Sequence, residues 1–190
     1  MGACAAVMAQ LVHAPRAALA LCLMLAAGGA LAQASPVEQQ LKAAYLYKFA
    51  GFVEWPEGAV APGATLVIGV AGDDALARQL VLLVAGRRAG GHLVEVRTVR
   101  PGAPLDGLHV LFVGTLPGDE LAAVLAAARA LPVLTVADAD GAAAPGSMVN
   151  FVLRDERLRF AVALAQVAPS RLRISARMLA AASSVTGAAP

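Results

Sequence analysis

Cysteine is nearly missing from this chain of 190 residues, which contains only two. Both of them, Cys4 and Cys22, lie within the first 32 residues. If that segment is absent from the working protein, a disulfide, a thiolate nucleophile and a cysteine-ligated metal are all excluded. Stability must then come from side-chain packing alone.

Charged side chains are equally scarce at the amino terminus, where residues 1–32 carry one, Arg16, and no acid. An unbroken apolar run, 17–27, ends in Gly28-Gly29 and Ala30-Leu31-Ala32, the small-x-small pattern that signal peptidase accepts. Eleven apolar residues are too few for a membrane-spanning helix, which needs about 20, so a permanent anchor is the weaker alternative. We predict a cleaved secretory signal over residues 1–32 and a periplasmic protein that does not span the membrane after cleavage.

Two cleavage points fit this signal. Cleavage follows Ala32, or it follows Ala34 if Ala32-Gln33-Ala34 is the recognised sequence. A lipoprotein signal at Cys22 is disfavoured, because the residue before a lipidated cysteine should be small and Leu21 is not.

Neither sign of charge dominates the remaining 158 residues, a single-domain length that can bury a core. Without Arg16, the chain has 14 lysines and arginines against 13 acids. A nucleic-acid partner would require a basic stripe, and the sequence has none. We therefore predict no nucleic-acid binding.

The first helix is predicted from capping residues and apolar spacing. Ser35 and Glu38 form a capping box around Pro36, which suits the first helical position. Four apolar residues then recur on one stripe of the helix, which Trp55-Pro56 is expected to end; they are Leu41, Tyr45, Phe49 and Phe52. The stripe is interpreted as core, and a partner interface is the alternative.

Alternating strands and helices are predicted after this helix. Apolar runs indicate buried strands at 65–71, 109–113 and 133–136, and an alternating pattern indicates a half-exposed strand at 92–99. Further helices are predicted at 75–84, 117–130 and 175–182. Strands at 148–153 and 158–164, joined by a turn at 154–156, form a predicted β-hairpin.

These elements predict one α/β domain over residues 33–182, with a mainly parallel central sheet flanked by helices, a C-terminal β-hairpin and a terminal helix. The predicted architecture is flavodoxin- or Rossmann-like. The tail at 183–190 is expected to be disordered.

Three polar segments suggest possible sites, and each has a simpler explanation. Residues 69–74 follow a strand but lack the glycine pattern of a nucleotide loop, so Asp73 and Asp74 are interpreted as helix caps. Residues 138–141 begin like a calcium loop but lack its later ligands. His92 and His109 have no triad or metal-ligand spacing. We therefore predict no catalytic, cofactor-binding or metal-binding residue, and we predict that the protein is not an enzyme.

The chain resembles the YfiR family of small periplasmic proteins. The first motif is residues 42–49, continuing through Phe52-Val53-Glu54-Trp55-Pro56. The last is Gly146-Ser147-Met148-Val149-Asn150-Phe151, followed by Arg159-Phe160 and Leu172-Arg173-Ile174-Ser175. The likeness covers about residues 37–182, although Leu108 stands where relatives often carry a cysteine.

This resemblance implies regulation by contact. Family members are expected to be periplasmic repressors that bind the periplasmic domain of an inner-membrane diguanylate cyclase, lowering cyclic di-GMP and restraining biofilm formation. A sensor kinase is another possible partner, and a homodimer is possible. The alternative is a periplasmic small-molecule binding or sensor module, with its crevice after Gly72 and Asp138.

Partner-binding residues are predicted near the carboxyl terminus of the domain. They are an apolar and basic set on the hairpin and the terminal helix: Phe151, Arg159, Ile174, Met178 and Leu179. The competing interpretation is that these residues simply cover the sheet.

Overall fold

A computed structural model describes residues 35–138 and 144–187. The helices are α1 (Pro36–Phe52), α2 (Asp74–Val84), α3 (Gly118–Ala128), α4 (Leu164–Val167) and α5 (Ala176–Ala181), with a 3-10 turn at Ala168–Ser170. The first strands are β1 (Val53–Glu54), β2 (Leu66–Ala71), β3 (Arg88–Ala89), β4 (His92–Thr98) and β5 (Val110–Val113). They are followed by β6 (Leu134–Asp138), β7 (Val149–Arg154), β8 (Arg157–Ala163), β9 (Arg173–Ile174) and β10 (Ser184–Thr186).

Eight strands form one sheet in the order β10-β8-β7-β6-β5-β2-β4-β3. The β7–β8 and β4–β3 pairs are antiparallel, and every other neighbouring pair is parallel. The central strands β2, β5 and β6 are almost wholly buried, which explains why they appear in the sequence as continuous apolar runs. The predicted α/β domain with a mainly parallel sheet and flanking helices is present.

Each face of the sheet has its own apolar layer. On one face, α1 and α2 bury Leu46, Phe49 and Leu80 against strand residues such as Ile68 and Phe112. On the other face, α3 and the segment between β4 and β5 pack residues such as Leu108 and Leu125 against Leu111 and Val113. Two covered faces are what a largely parallel sheet requires.

The first helix ends earlier than predicted, and only part of its predicted stripe is core: Phe49 is buried, whereas Tyr45 and Phe52 are partly buried against the core. It stops at Phe52, because Val53 and Glu54 pair antiparallel with Ile174 and Arg173 of β9. Leu41, expected in the core stripe, is 45% exposed. The buried positions of α1 are spaced at three and four residues but include polar side chains: Gln39, Lys42, Ala43, Leu46, Phe49 and Ala50.

The carboxyl-terminal tail also departs from expectation. Ser184–Thr186, which the sequence places in a disordered tail, instead forms β10 and pairs in parallel with 161–163 of β8. This strand has the local pattern of a tail, since all three of its residues are exposed. Pairing with a sheet edge, not local sequence, orders it.

Candidate functional site

The carboxyl ends of the parallel strands meet where the chain order reverses, between β2 and β5, a place where open α/β sheets put ligand sites. The backbone is tightly packed there. A Cβ atom on Gly114, just after β5, would lie 2.9 Å from the carbonyl oxygen of Gly72. Gly72 itself has a φ of +72°, which an L side chain rarely adopts. Asp73 then accepts a hydrogen bond from the N–H of Leu76 at 2.9 Å, which confirms its predicted role as the cap of α2.

The amino-terminal half of α1 contributes three polar side chains to this end of the sheet. Gln39 donates from Nε2 to Asp73 Oδ2 at 3.0 Å. Lys42 Nζ forms ion pairs with Glu38, one turn earlier, at 2.6 Å and with Asp138 at the end of β6. We call these five residues the polar cluster.

Lys42 is the unusual member of the polar cluster, since a lysine only 1% exposed needs compensation for its lost hydration. Burial lowers the pKa of Lys42, but hydrogen bonds to Asp138 and Glu38 outweigh burial, so that the pKa lies above its ordinary value of 10.5. Lys42 is therefore an ammonium ion at neutral pH. It ties α1 to the far end of β6.

Among the described residues, the polar cluster occupies the place where a ligand crevice was predicted after Gly72 and Asp138. The side chains of Gln39 and Lys42 bond to the two aspartates that would line it. Gln39 Oε1 is buried without a hydrogen-bond partner. Residues 139–143, which follow Asp138, lie outside the described residues. Chemically, this arrangement holds a helix against a sheet.

The residues predicted to bind a partner are divided between core and surface. Phe151 is fully buried and Met178 is 1% exposed, so both side chains lie in the core. Phe151 lies in an aromatic cluster with Tyr45 and Phe49. Arg159 is exposed, and Ile174 and Leu179 are partly exposed, so these last three residues form the reachable part of the predicted surface.

The two histidines flank the start of β2 and bond to backbone. His109 Nδ1 accepts from the N–H of Val67 at 3.0 Å, and burial lowers the pKa of His109 below its ordinary value of 6.5. His92 Nδ1 lies 2.8 Å from the carbonyl oxygen of Ala64. Among the described residues, no group of three histidine, cysteine, aspartate or glutamate side chains could hold a metal ion.

A groove of about 450 Å³ lies between α2 and β4. Its lining combines apolar side chains with a few polar ones: Asp74, Ala77, Arg78, Val81, Leu82, Val96 and Thr98.

Within residues 35–138 and 144–187, no helix has the length and hydropathy that a membrane span requires.

Sequence reasoning missed both the polar cluster and this groove. One signal could have revealed Lys42, because positions 39, 42, 43, 46, 49 and 50 follow helical spacing as well as the chosen stripe does. No sequence signal pairs Lys42 with Asp138, since the two lie 96 positions apart.

Comparison with known proteins identifies one family. The sequence pattern of the YfiR/HmsC-like family matches residues 39–183, more than half of the chain. No curated protein matches the chain. The matched region contains the polar cluster apart from Glu38, the groove and all five predicted partner-binding residues.

Proposed function

Because the chain belongs to the YfiR/HmsC-like family, we propose that it is a periplasmic repressor that binds the periplasmic domain of an inner-membrane diguanylate cyclase. Membership in this family supports a regulator of such an enzyme and a role in regulation instead of catalysis. The match over residues 39–183 is the single observation that carries the proposal. In this proposal, binding favours the inactive state of the cyclase, keeps cyclic di-GMP low and restrains biofilm formation.

Export is part of the proposal. An apolar segment bounded by Gly28-Gly29 and followed by Ala30-Leu31-Ala32 supports a signal that is removed before the protein acts. Mass spectrometry of the protein recovered from the periplasm should give a mature form beginning at Gln33 or Ser35. A periplasmic form that retains residues 1–32 would contradict this part of the proposal.

The partner surface is proposed to include the reachable residues Arg159, Ile174 and Leu179. Ile174 and Leu179 pack against the main apolar core while remaining partly exposed, and Arg159 offers an exposed cation on β8. The strand order β4-β2-β5-β6-β7 further supports a doubly wound domain of the flavodoxin type, with β7 and β8 as its carboxyl-terminal hairpin. A homodimer of this domain is also proposed, and sedimentation would measure it.

Deletion of the gene and complementation in the native strain test the function. Loss of the protein should raise cyclic di-GMP and biofilm mass, and complementation should restore both. A diguanylate cyclase of the inner membrane should co-purify with the complementing protein. Unchanged cyclic di-GMP after deletion would overturn the proposal.

A further inference from the structure

Strand β4 has an open edge. On one side it pairs with β2 along residues 94–98. On the other side, β3 pairs only with His92 and Leu93, and the carbonyl of Arg87 accepts the N–H of Val94 at 3.1 Å. From residue 95 onward, no described strand covers that side.

Strand alternation decides which backbone groups face the open edge. The N–H of Val99 bonds to the carbonyl oxygen of Val70 in β2 at 2.8 Å, so the groups of Arg97 and Glu95 also point towards β2. Those of Val96 and Thr98 point away from β2. Two N–H and two C=O groups are therefore available to another strand.

The groove between α2 and β4 runs along this open edge. The helix presents Val81, 53% exposed, and Leu82, 74% exposed, beside the side chains of Val96 and Thr98. An added strand would place alternate side chains on this face of the sheet, where they would cover the exposed apolar surface.

Positive charge surrounds the open edge. Five exposed arginines lie on α2, β3, β4 and the residues after them: Arg78, Arg87, Arg88, Arg97 and Arg100. The nearby acids are Asp74, Glu95 and Asp106. Both ion pairs within the described part of the chain belong to Lys42, so none of these arginines is ion-paired there, and the five arginines outnumber the three acids. An occupant with acidic side chains is favoured.

A second copy of this chain fits the edge poorly. Symmetric pairing centred on Val96 would set Thr98 of one copy against Val94 of the other, whose N–H is already bonded to Arg87. Symmetric pairing centred on Arg97 would oppose two arginines, and like charges directly opposite each other destabilise a strand pair.

We propose that the open edge of β4 and the groove beside it bind an extended acidic segment of the partner protein as an added strand. This inference rests on the proposed function, because it takes the repressed signalling enzyme as the source of the segment. Backbone hydrogen bonds to Val96 and Thr98 supply affinity, and apolar side chains enter the groove against Val81 and Leu82. Acidic side chains at the alternate positions, on the face of the sheet that carries Arg97, supply selectivity.

A labelled synthetic heptapeptide of alternating valine and glutamate tests the edge directly on the purified chain. Fluorescence anisotropy should show that this peptide binds at least about tenfold more tightly than its lysine counterpart. Val96→Pro removes one open-edge N–H but no bond to β2, and should weaken binding about tenfold. Arg97→Glu should weaken the glutamate peptide and strengthen the lysine peptide. No binding by the glutamate peptide, or equal binding of both peptides by the wild-type chain, would overturn the proposal.

A second variant, Val81→Glu, tests the same site if Val96→Pro does not fold. Val81 is exposed, so its replacement leaves the core intact. Its matched control is Val37→Glu, a valine on a helix surface that is 65% exposed and far along the chain from β4. Val81→Glu should weaken peptide binding about tenfold, and Val37→Glu should leave it unchanged. Equal effects of the two would overturn the proposal.

Cyclic di-GMP in complemented cells separates this inference from the proposed function. If the wild-type chain represses and Val81→Glu does not, both stand. If Val81→Glu represses as well as the wild type, the open edge is not the docking site, although the function holds. If the wild-type chain itself fails to lower cyclic di-GMP, the proposed function falls, and the partner assignment of the edge falls with it.

Discussion

Lys42 on the first helix is ion-paired with Asp138 at the end of β6, although the two residues are 96 positions apart. The same ammonium group contacts Glu38, while the neighbouring Gln39 bonds to Asp73. The helix is thus joined to the ends of two strands through polar groups as well as through its apolar face.

Lys42→Met should destabilise the domain by about 2 kcal/mol. Removing one partner of a fully buried pair costs roughly 3–5 kcal/mol, and the loss is smaller here because the side chains of Glu38 and Asp138 keep 29% and 27% exposure to water. Urea denaturation measures the free energy of unfolding. Lys48→Met, an exposed lysine of the same helix, is the control and should change stability by less than about 0.5 kcal/mol.

Raising the pH into the alkaline range should lower the stability of the wild-type domain more than it lowers the stability of the Lys42→Met variant. The pKa of Lys42 is raised in the folded state above 10.5, so the stabilisation is complete below that value and is lost as pH rises through the folded pKa. Denaturation at increasing pH should show the two proteins converging in stability. Parallel pH profiles for the two would contradict an ionised, paired Lys42.

Mild acid should weaken the domain through His109. Burial holds the pKa of His109 below 6.5 in the folded state, so the unfolded chain binds more protons and stability falls as pH drops below about 6.5. Protonation would also break the bond that Nδ1 accepts from Val67. In His109→Gln this part of the pH dependence should vanish, and thermal unfolding from pH 8 to pH 5 would reveal it. An unchanged slope would count against the assigned role.

Gly72→Ala should cost more stability than Gly86→Ala. Both glycines have positive φ, +72° and +68°, so each alanine carries a conformational cost of about 1–2 kcal/mol. At Gly72 the new methyl would also lie 2.9 Å from the carbonyl oxygen of Thr115, whereas nothing lies within 4 Å at Gly86. We expect a total loss of about 3 kcal/mol at Gly72. Equal melting temperatures of the two variants would refute the steric part.

Phe151→Ala should abolish function through folding and not through lost contact with a partner. Phe151 is fully buried among aromatic rings, with Phe112 and Phe49 at centroid distances of 6.2 Å and 6.1 Å, and its truncation costs about 3–5 kcal/mol. Arg159→Ala should leave unfolding within about 0.5 kcal/mol of the wild type. Denaturation of both variants, alongside cyclic di-GMP in cells, separates stability from binding at this end of the domain.

Much of the fold could be read from local pattern. The runs at β2 and β5 contain few polar residues because both of their faces are covered, and the aspartate after Gly72 marks the start of α2 in sequence as it does in space. Such signals depend on neighbours three or four residues away, which is why the sequence alone displays them.

Pairings across the domain set the remaining features. β1 and β9 have two residues each, and each is a strand only because it pairs with the other. Likewise, β10 is a strand only because it pairs with the edge of β8. Which side of α1 is buried depends on Asp73 and Asp138, which lie at the strand ends and bond to the helix. As a result, Lys42 is buried and Leu41 is exposed. The open edge of β4 is decided in the same way, by where β3 stops.

The amino-acid sequence by itself determined the family, the class of fold, the position of most strands and the cap of α2, because periodicity, caps and motifs are local. Only the tertiary structure decided that Lys42 is buried, that Phe151 lies in the core and that no described strand covers one side of β4 beyond Val94. These properties depend on contacts between residues that are distant in sequence. The free energy of such contacts cannot be inferred from the pattern of any short segment of the chain.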